Sequence, residues 1–231
     1  MLRLLFTALL FASFSLCAQT LERSFGLELT PQLSDRRVSG VGSVSVAELE
    51  VIDSLEQGSF GYSAGLIYES RIDRIGYSTG LRYSRLAYER LEQAMLGQAG
   101  QTFTEDITAH YLALPFEINF YQDVTEKDRV LFMLGVGLQY HLGTRVQRTT
   151  FQSGEEIASE RIDEDVDYRG LVTSLVTGIG YDRKLSNDWA IRFQPTFQFF
   201  LNGNLRPGED TRANRNYYQL GLRIVIRRLF I

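Results

Sequence analysis

The sequence predicts an all-β fold, an eight-stranded antiparallel up-and-down transmembrane β-barrel. Three observations carry that expectation. The first is the stretch Tyr111 to Gly143, where YLALPFEINFY and RVLFMLGVGLQYHLG flank the polar turn QDVTEKD. In the first run Leu112, Leu114, Phe116, Ile118 and Phe120 share one face, opposite Tyr111, Ala113, Pro115, Glu117 and Asn119. In the second, Val130, Phe132, Leu134, Val136, Leu138, Tyr140 and Leu142 oppose Met133, Gly135, Gly137, Gln139 and His141. A period of two is a strand, because successive side chains leave opposite faces of the pleat. The second observation is length. These runs outlast the usual strand of about five or six residues, and about nine to eleven residues with one continuous apolar face suit a tilted crossing of a bilayer. The third is rhythm: the runs are joined by connections that alternate long and short, as in barrels with short periplasmic turns and longer outer loops.

Taken in order, Met1 to Ala18 reads as an export signal, with Arg3 as its positive start, Leu4 to Leu16 as its apolar run and Cys17-Ala18-Gln19 as a small-residue cleavage region. Cys17 as a lipid-bearing cysteine is disfavoured by Leu16 before it. Residues 19–231 then form the barrel domain. The first strand, Ser24 to Leu33, sets Phe25, Leu27, Leu29 and Leu33 against Ser24, Gly26, Glu28, Thr30 and Gln32, and places Pro31 near its end, where a ladder donor is least missed. Ser34 to Ser59 reads as a long loop in which Val44, Val46 and Leu49 form at most a small hairpin. The second strand, Phe60 to Ser70, turns tightly at Arg71 to Arg74 into the third, Ile75 to Tyr88. Glu89 to Asp106 is the second long loop and Thr144 to Asp167 the third, dense in acid at Glu155, Glu156, Glu160, Asp163, Glu164, Asp165 and Asp167. The sixth strand, Tyr168 to Asp182, is the least regular, since Val172 and Val176 break its pattern. Trp189 to Asn202 is the seventh, Gly203 to Asn216 the last long loop, and Tyr217 to Arg228 the eighth strand. Both termini then face the periplasm. Tyr62, Tyr68, Tyr77, Tyr83, Tyr140, Tyr181, Trp189 and Tyr218 fall near strand ends on the outward face, as aromatic girdles require.

The chain has 231 residues, a net charge of -4 and one cysteine. The acidic balance, with no cluster of Lys and Arg, excludes nucleic acid as a partner, and no later segment approaches the length of an apolar membrane helix. With cleavage after Ala18 the mature chain has no thiol chemistry.

YLALPFEINFY with LFMLGVGLQYHLG, and later GIGYDRKLSNDWAIRFQPTFQF, resembles the porin-like outer-membrane β-barrel family that includes the PorT proteins of gliding and type IX secretion. The shared features are Tyr111, Leu112 and Pro115, the glycine-marked strand at Gly135 and Gly137, and Gly178, Gly180 and Tyr181 leading into an aromatic-rich strand. The resemblance implies an eight-stranded barrel in the outer membrane and implies no single activity.

Alternation turns Glu28, Glu69, Arg82, Glu117, Arg192 and Arg223 into the lumen, with Gln139, Gln194, Gln198 and His141. Neighbouring strands offer Glu69 and Glu117 as partners of Arg82, and closure brings Glu28 towards Arg223. A buried charge is costly without a partner, so these residues are expected to plug a lumen that eight strands leave barely wide enough for side chains; a gate or ion path is the alternative. His110 falls on the lipid face and His141 on the lumen face, so the two do not form one site, and outward Thr108, Tyr140 and Thr144 include no serine to serve as a nucleophile. The Gly135-x-Gly137 and Gly178-x-Gly180 pairs lack the third glycine and the helix of a dinucleotide site. The acidic third loop lacks the spacing of a calcium loop. The expected function is non-enzymatic, a structural, assembly or interaction role in the outer membrane; a narrow porin for small solutes and a lipid-modifying enzyme are the alternatives. No cofactor or metal is expected. The partners implied are outer-membrane lipid, the barrel-assembly machinery during insertion, and proteins of the envelope.

Overall fold

A computed structural model describes residues 21–40, 44–162, 167–206 and 213–230; the export signal and Cys17 lie outside them. The described strands are β1 (Leu21–Gly40), β2 (Glu56–Ile72), β3 (Ile75–Ala94), β4 (Gln101–Asp123), β5 (Asp128–Gln152), β6 (Glu155–Ile162), β7 (Leu171–Lys184), β8 (Trp189–Phe200) and β9 (Ala213–Phe230), with one helix, α1 (Val46–Ser54). Every pairing is antiparallel between neighbours. β1 pairs with both β2 and β9, and β4 pairs with β5, so eight strands close into a ring from which only β6 is excluded.

The outward positions are the apolar ones read from the sequence: Leu27, Leu66, Leu114, Phe116, Leu134, Val136, Leu175, Phe193 and Leu222 all lie exposed on the wall. Val172 and Val176 alternate normally and simply face inward, where both are buried. They break the polarity of the strand and not its geometry.

The strands run much further than the apolar faces. β4 has 23 residues and β5 has 25, whereas their outward apolar runs stop at Leu112 and Leu142. Beyond that line the polarity inverts on an unbroken ladder. Inside, Leu86, Tyr88, Ile107, Ala109, Tyr111, Val146, Val172, Phe200 and Tyr217 form a buried apolar core, while Thr108, Asp106 and Arg145 face out. Along the apolar band the wall is apolar outside and polar inside; beyond it the barrel has the ordinary polarity of a protein in water.

Four expectations are corrected. Ser34 to Ser59 is neither irregular nor a hairpin: β1 continues to Gly40, β2 begins at Glu56, and α1 lies between, its N-terminus closed by a reciprocal pair in which Glu48 N donates to Ser45 Oγ at 3.3 Å and Ser45 N donates to Glu48 Oε2 at 3.0 Å. Glu89 to Asp106 is strand at both ends around a short turn. Thr144 to Asp167 continues β5 and folds back as β6, through Ser153 (φ 53°) and Gly154 (φ 85°), the left-handed turn that a two-residue hairpin requires; Asp163, Glu164 and Asp165 lie outside the described residues. Pro31 is mid-strand in β1. Its missing donor faces β9, where the ladder passes from Leu29↔Ile224 to Gln32↔Gly221. Pro115 opens the same gap towards β3 and Pro195 towards β7, so each of these strand prolines costs one neighbour one rung.

Candidate functional site

The lumen is the one place where the described charges converge out of water, and it is layered. At the short-turn end, Glu69 from β2 accepts from Arg192 on β8 (Nη2 to Oε2, 2.9 Å), from Arg227 on β9 (Nη1 to Oε1, 2.5 Å), from the Tyr121 hydroxyl (2.5 Å) and from Asn119 Nδ2 (3.3 Å). Asp182 on β7 completes the group, bonded to Arg227 and 3.6 Å from Arg192. One layer up, Arg82 on β3 holds Glu28 on β1 through Nε and through Nη2 (3.0 Å), and reaches Glu117 on β4 at 3.4 Å. Arg223 on β9 grips both oxygens of Glu117 at 2.9 and 3.0 Å, with Nε 3.7 Å from Glu28. Each layer is two carboxylates against two guanidinia, so each is electrically neutral. That is the condition under which buried ions cost least.

The expected pairing of Arg82 with Glu69 is corrected. Glu69 lies opposite Ser78 in the β2–β3 register, whereas Arg82 lies opposite Gly65, and Gly65 in turn lies opposite Glu28. Glu28 and Arg82 therefore meet across a residue with no side chain. A Cβ on Gly65 would stand 2.8 Å from Arg82 Cα and 2.4 Å from Leu81 O. Gly135 makes room in the same way, since a Cβ there would lie 2.8 Å from Glu117 Cγ.

Above the ions sits a belt of amides and hydroxyls. Ser63 donates to Ser84 Oγ at 2.9 Å, and Gln139 and Gln198 donate to Ser174 Oγ at 3.1 and 2.9 Å. Gln194, level with Arg223, is fully buried with neither side-chain atom bonded, and a void of about 10 Å³, the room of about one water molecule, lies between the belt and the ions, lined by Gln32, Ser63, Gln198 and Gln219 with Arg82 and Arg223. Aromatic rings close the next layer: Tyr111, Phe200 and Tyr217 pack edge to face with centroids 5.4, 5.8 and 6.3 Å apart. His141 leans on Tyr111 and stacks on Tyr168 at 4.9 Å, on the lumen side of the wall, while His110 bonds Tyr83 Oη at 2.6 Å on the other side. At the long-loop mouth Glu56 takes Arg36 (2.5 Å) and Arg215 (2.6 Å), and Glu105 takes Arg90 (2.5 Å) and Arg148 (2.6 Å). Burial opposes ionisation of Glu56, and the guanidinia of Arg215 and Arg36 overcome it, holding its carboxyl below the usual carboxylate range. At the opposite mouth Arg129 and Lys184 reach Glu22 at 3.1 and 3.5 Å.

Sequence reasoning missed Asp182, Arg227, Glu56 and Glu105 as members of these layers. Arg227 and Asp182 share the inward parity of their strands, a signal that was present; Glu56 and Glu105 sit in strand extensions that the loss of the outward apolar face conceals.

A ring of eight antiparallel strands, apolar outside and polar within, is the geometry on which the comparison with known proteins bears. Residues 18–208 match the family described as outer membrane protein beta-barrel domain. The chain belongs to that family. Membership of this outer-membrane β-barrel family places it in a bacterial outer membrane. Among solved structures it is similar to Neisserial surface protein A (12% identity, covering 90% of this chain and 97% of that one, TM-score 0.40), to OprG from Pseudomonas aeruginosa (11%, 91% and 95%, 0.42) and to the outer membrane protease OmpT from Escherichia coli (9%, 94% and 99%, 0.41). No curated protein matches the chain.

Proposed function

We propose that this outer-membrane barrel is a non-enzymatic membrane scaffold with a structural, assembly or interaction role, and that it does not conduct. The observation that carries the reading is the stacked closure of the lumen: two neutral ionic layers, an amide belt over a void of about 10 Å³, and an aromatic layer. A solute entering at either mouth would have to break a buried carboxylate–guanidinium layer at several kcal/mol. The working surfaces are then the outside and the long-loop end, where α1 and the β5–β6 hairpin project, both with residues exposed to solvent. That end faces the cell exterior and both termini face the periplasm, in keeping with the alternation of long and short connections. The partners that fit this reading are outer-membrane lipid, the barrel-assembly machinery and envelope proteins, with no nucleic acid. Purified protein in planar bilayers is expected to be electrically silent. Stable stepwise conductance would overturn the plug.

A further inference from the structure

Where the outward apolar runs end, three adjacent strands carry basic groups side by side. Arg85 follows Tyr83 on β3, His110 precedes Leu112 on β4, and Arg145 follows Leu142 on β5 past a one-residue bulge. The registers Arg85↔His110 and Thr108↔Arg145 set them around Thr108 on the outer wall. Arg85 is held in place by neutral acceptors, Phe60 O at 3.0 Å and Thr108 Oγ1 at 3.3 Å. Among the described residues neither Arg85 nor Arg145 is ion-paired, whereas Arg82, Arg192, Arg223 and Arg227 in the lumen all are. His110 uses Nδ1 on Tyr83, and its Nε2 is enclosed with no partner among the described residues. The nearest outward acids, Asp106 and Glu89, stand opposite each other one outward position further from the apolar band, and Glu89 is already bonded to Ser59 (2.7 Å) and Gln57 (3.0 Å).

Two guanidinia with no ion pair among the described residues flank the Thr108 hydroxyl at the line where wall polarity inverts, and with Asp106 as the one acid within electrostatic reach of Arg85 they leave a cationic face at the depth of lipid headgroups. Guanidinium matches phosphate by its planar fork of donors. The geometry points to a binding site for the phosphate of a membrane lipid headgroup, built from Arg85, Thr108 and Arg145 at the long-loop end of β3, β4 and β5, with His110 packed beside them. The occupant is a lipid and not free phosphate, because the rows below these groups, Leu112, Leu81 and Leu142, are apolar and lie where its acyl chains would run. The site rests on the proposed membrane placement; its test does not depend on which side the loops face.

Protein in non-ionic detergent is titrated with diphosphorylated lipid A, with the same lipid dephosphorylated, and with inorganic phosphate, reading bound adducts by native mass spectrometry. The parent is expected to prefer the phosphorylated lipid by about tenfold or more. Arg85→Gln/Arg145→Gln should abolish that preference while melting like the parent, and Arg183→Gln/Arg228→Gln, which removes two outward cations at the other end, should keep it. An unchanged preference in the Arg85/Arg145 variant, no preference in the parent, or inorganic phosphate displacing the lipid at equal concentration would each overturn the assignment. A reversed topology would appear in surface labelling and leave this titration unchanged.

Discussion

Arg82 shows how one residue's environment is set by what its neighbours lack. It is buried among Glu28 and Glu117, and it reaches Glu28 only because Gly65 presents no side chain between them. Removing the guanidinium leaves two carboxylates sharing Arg223 alone, so Arg82→Ala is expected to destabilise the barrel by about 3 to 5 kcal/mol, read as a lowered unfolding midpoint in detergent. Glu28→Gln with Arg82→Met, which removes one charge of each sign, should recover part of the loss. A variant that melts like the parent would show that Arg82 is not a member of the plug. That these side chains point inward follows from period two alone. Which acid meets which base does not, because pairing depends on strand stagger, and the height of Gly65 against Arg82 is invisible until the ladder is drawn.

At the scale of elements, strand identity was legible and strand length was not. Leu112 to Phe120 announces β4 through its outward apolar face, but from Tyr111 backwards the same strand carries its hydrophobics inside and its polar groups outside, so a reader following one greasy face loses it. α1 was legible in principle, since Ser45 and Glu48 have the spacing of a capping box. The β5–β6 hairpin and the β2–β3 turn lie at opposite ends of the barrel and test which end is outside. In a Cys17→Ser background, Glu156→Cys is expected to react with an impermeant maleimide on intact cells and Arg74→Cys only after the membrane is opened. The opposite pattern would invert the orientation.

For the molecule as a whole, acid is expected to act first at the long-loop mouth. Glu56 lies beyond the apolar band, and it is held below the ordinary carboxylate value of 4.5 by Arg215 and Arg36, which outweigh its burial. A depressed folded value means that its stabilisation is complete above the unfolded value and is lost as pH falls through the folded one. The melting temperature in detergent should therefore hold from neutral pH down to about 5 and decline below about 4.5, and Glu56→Gln should start lower and decline less. A parent whose melting temperature is level down to about pH 3 would contradict this. The inversion of polarity along the wall has a consequence for permanence. With the long-loop end outside, as proposed, the upper half of β4 and β5 crosses the bilayer during insertion, and pulling it back would drag Asp106, Thr108 and Arg145 through hydrocarbon and expose Ile107, Tyr111 and Val146 as their own shell came apart. In that orientation the barrel is a rivet whose far head is formed only after passage, and undoing that head is the cost of leaving the membrane.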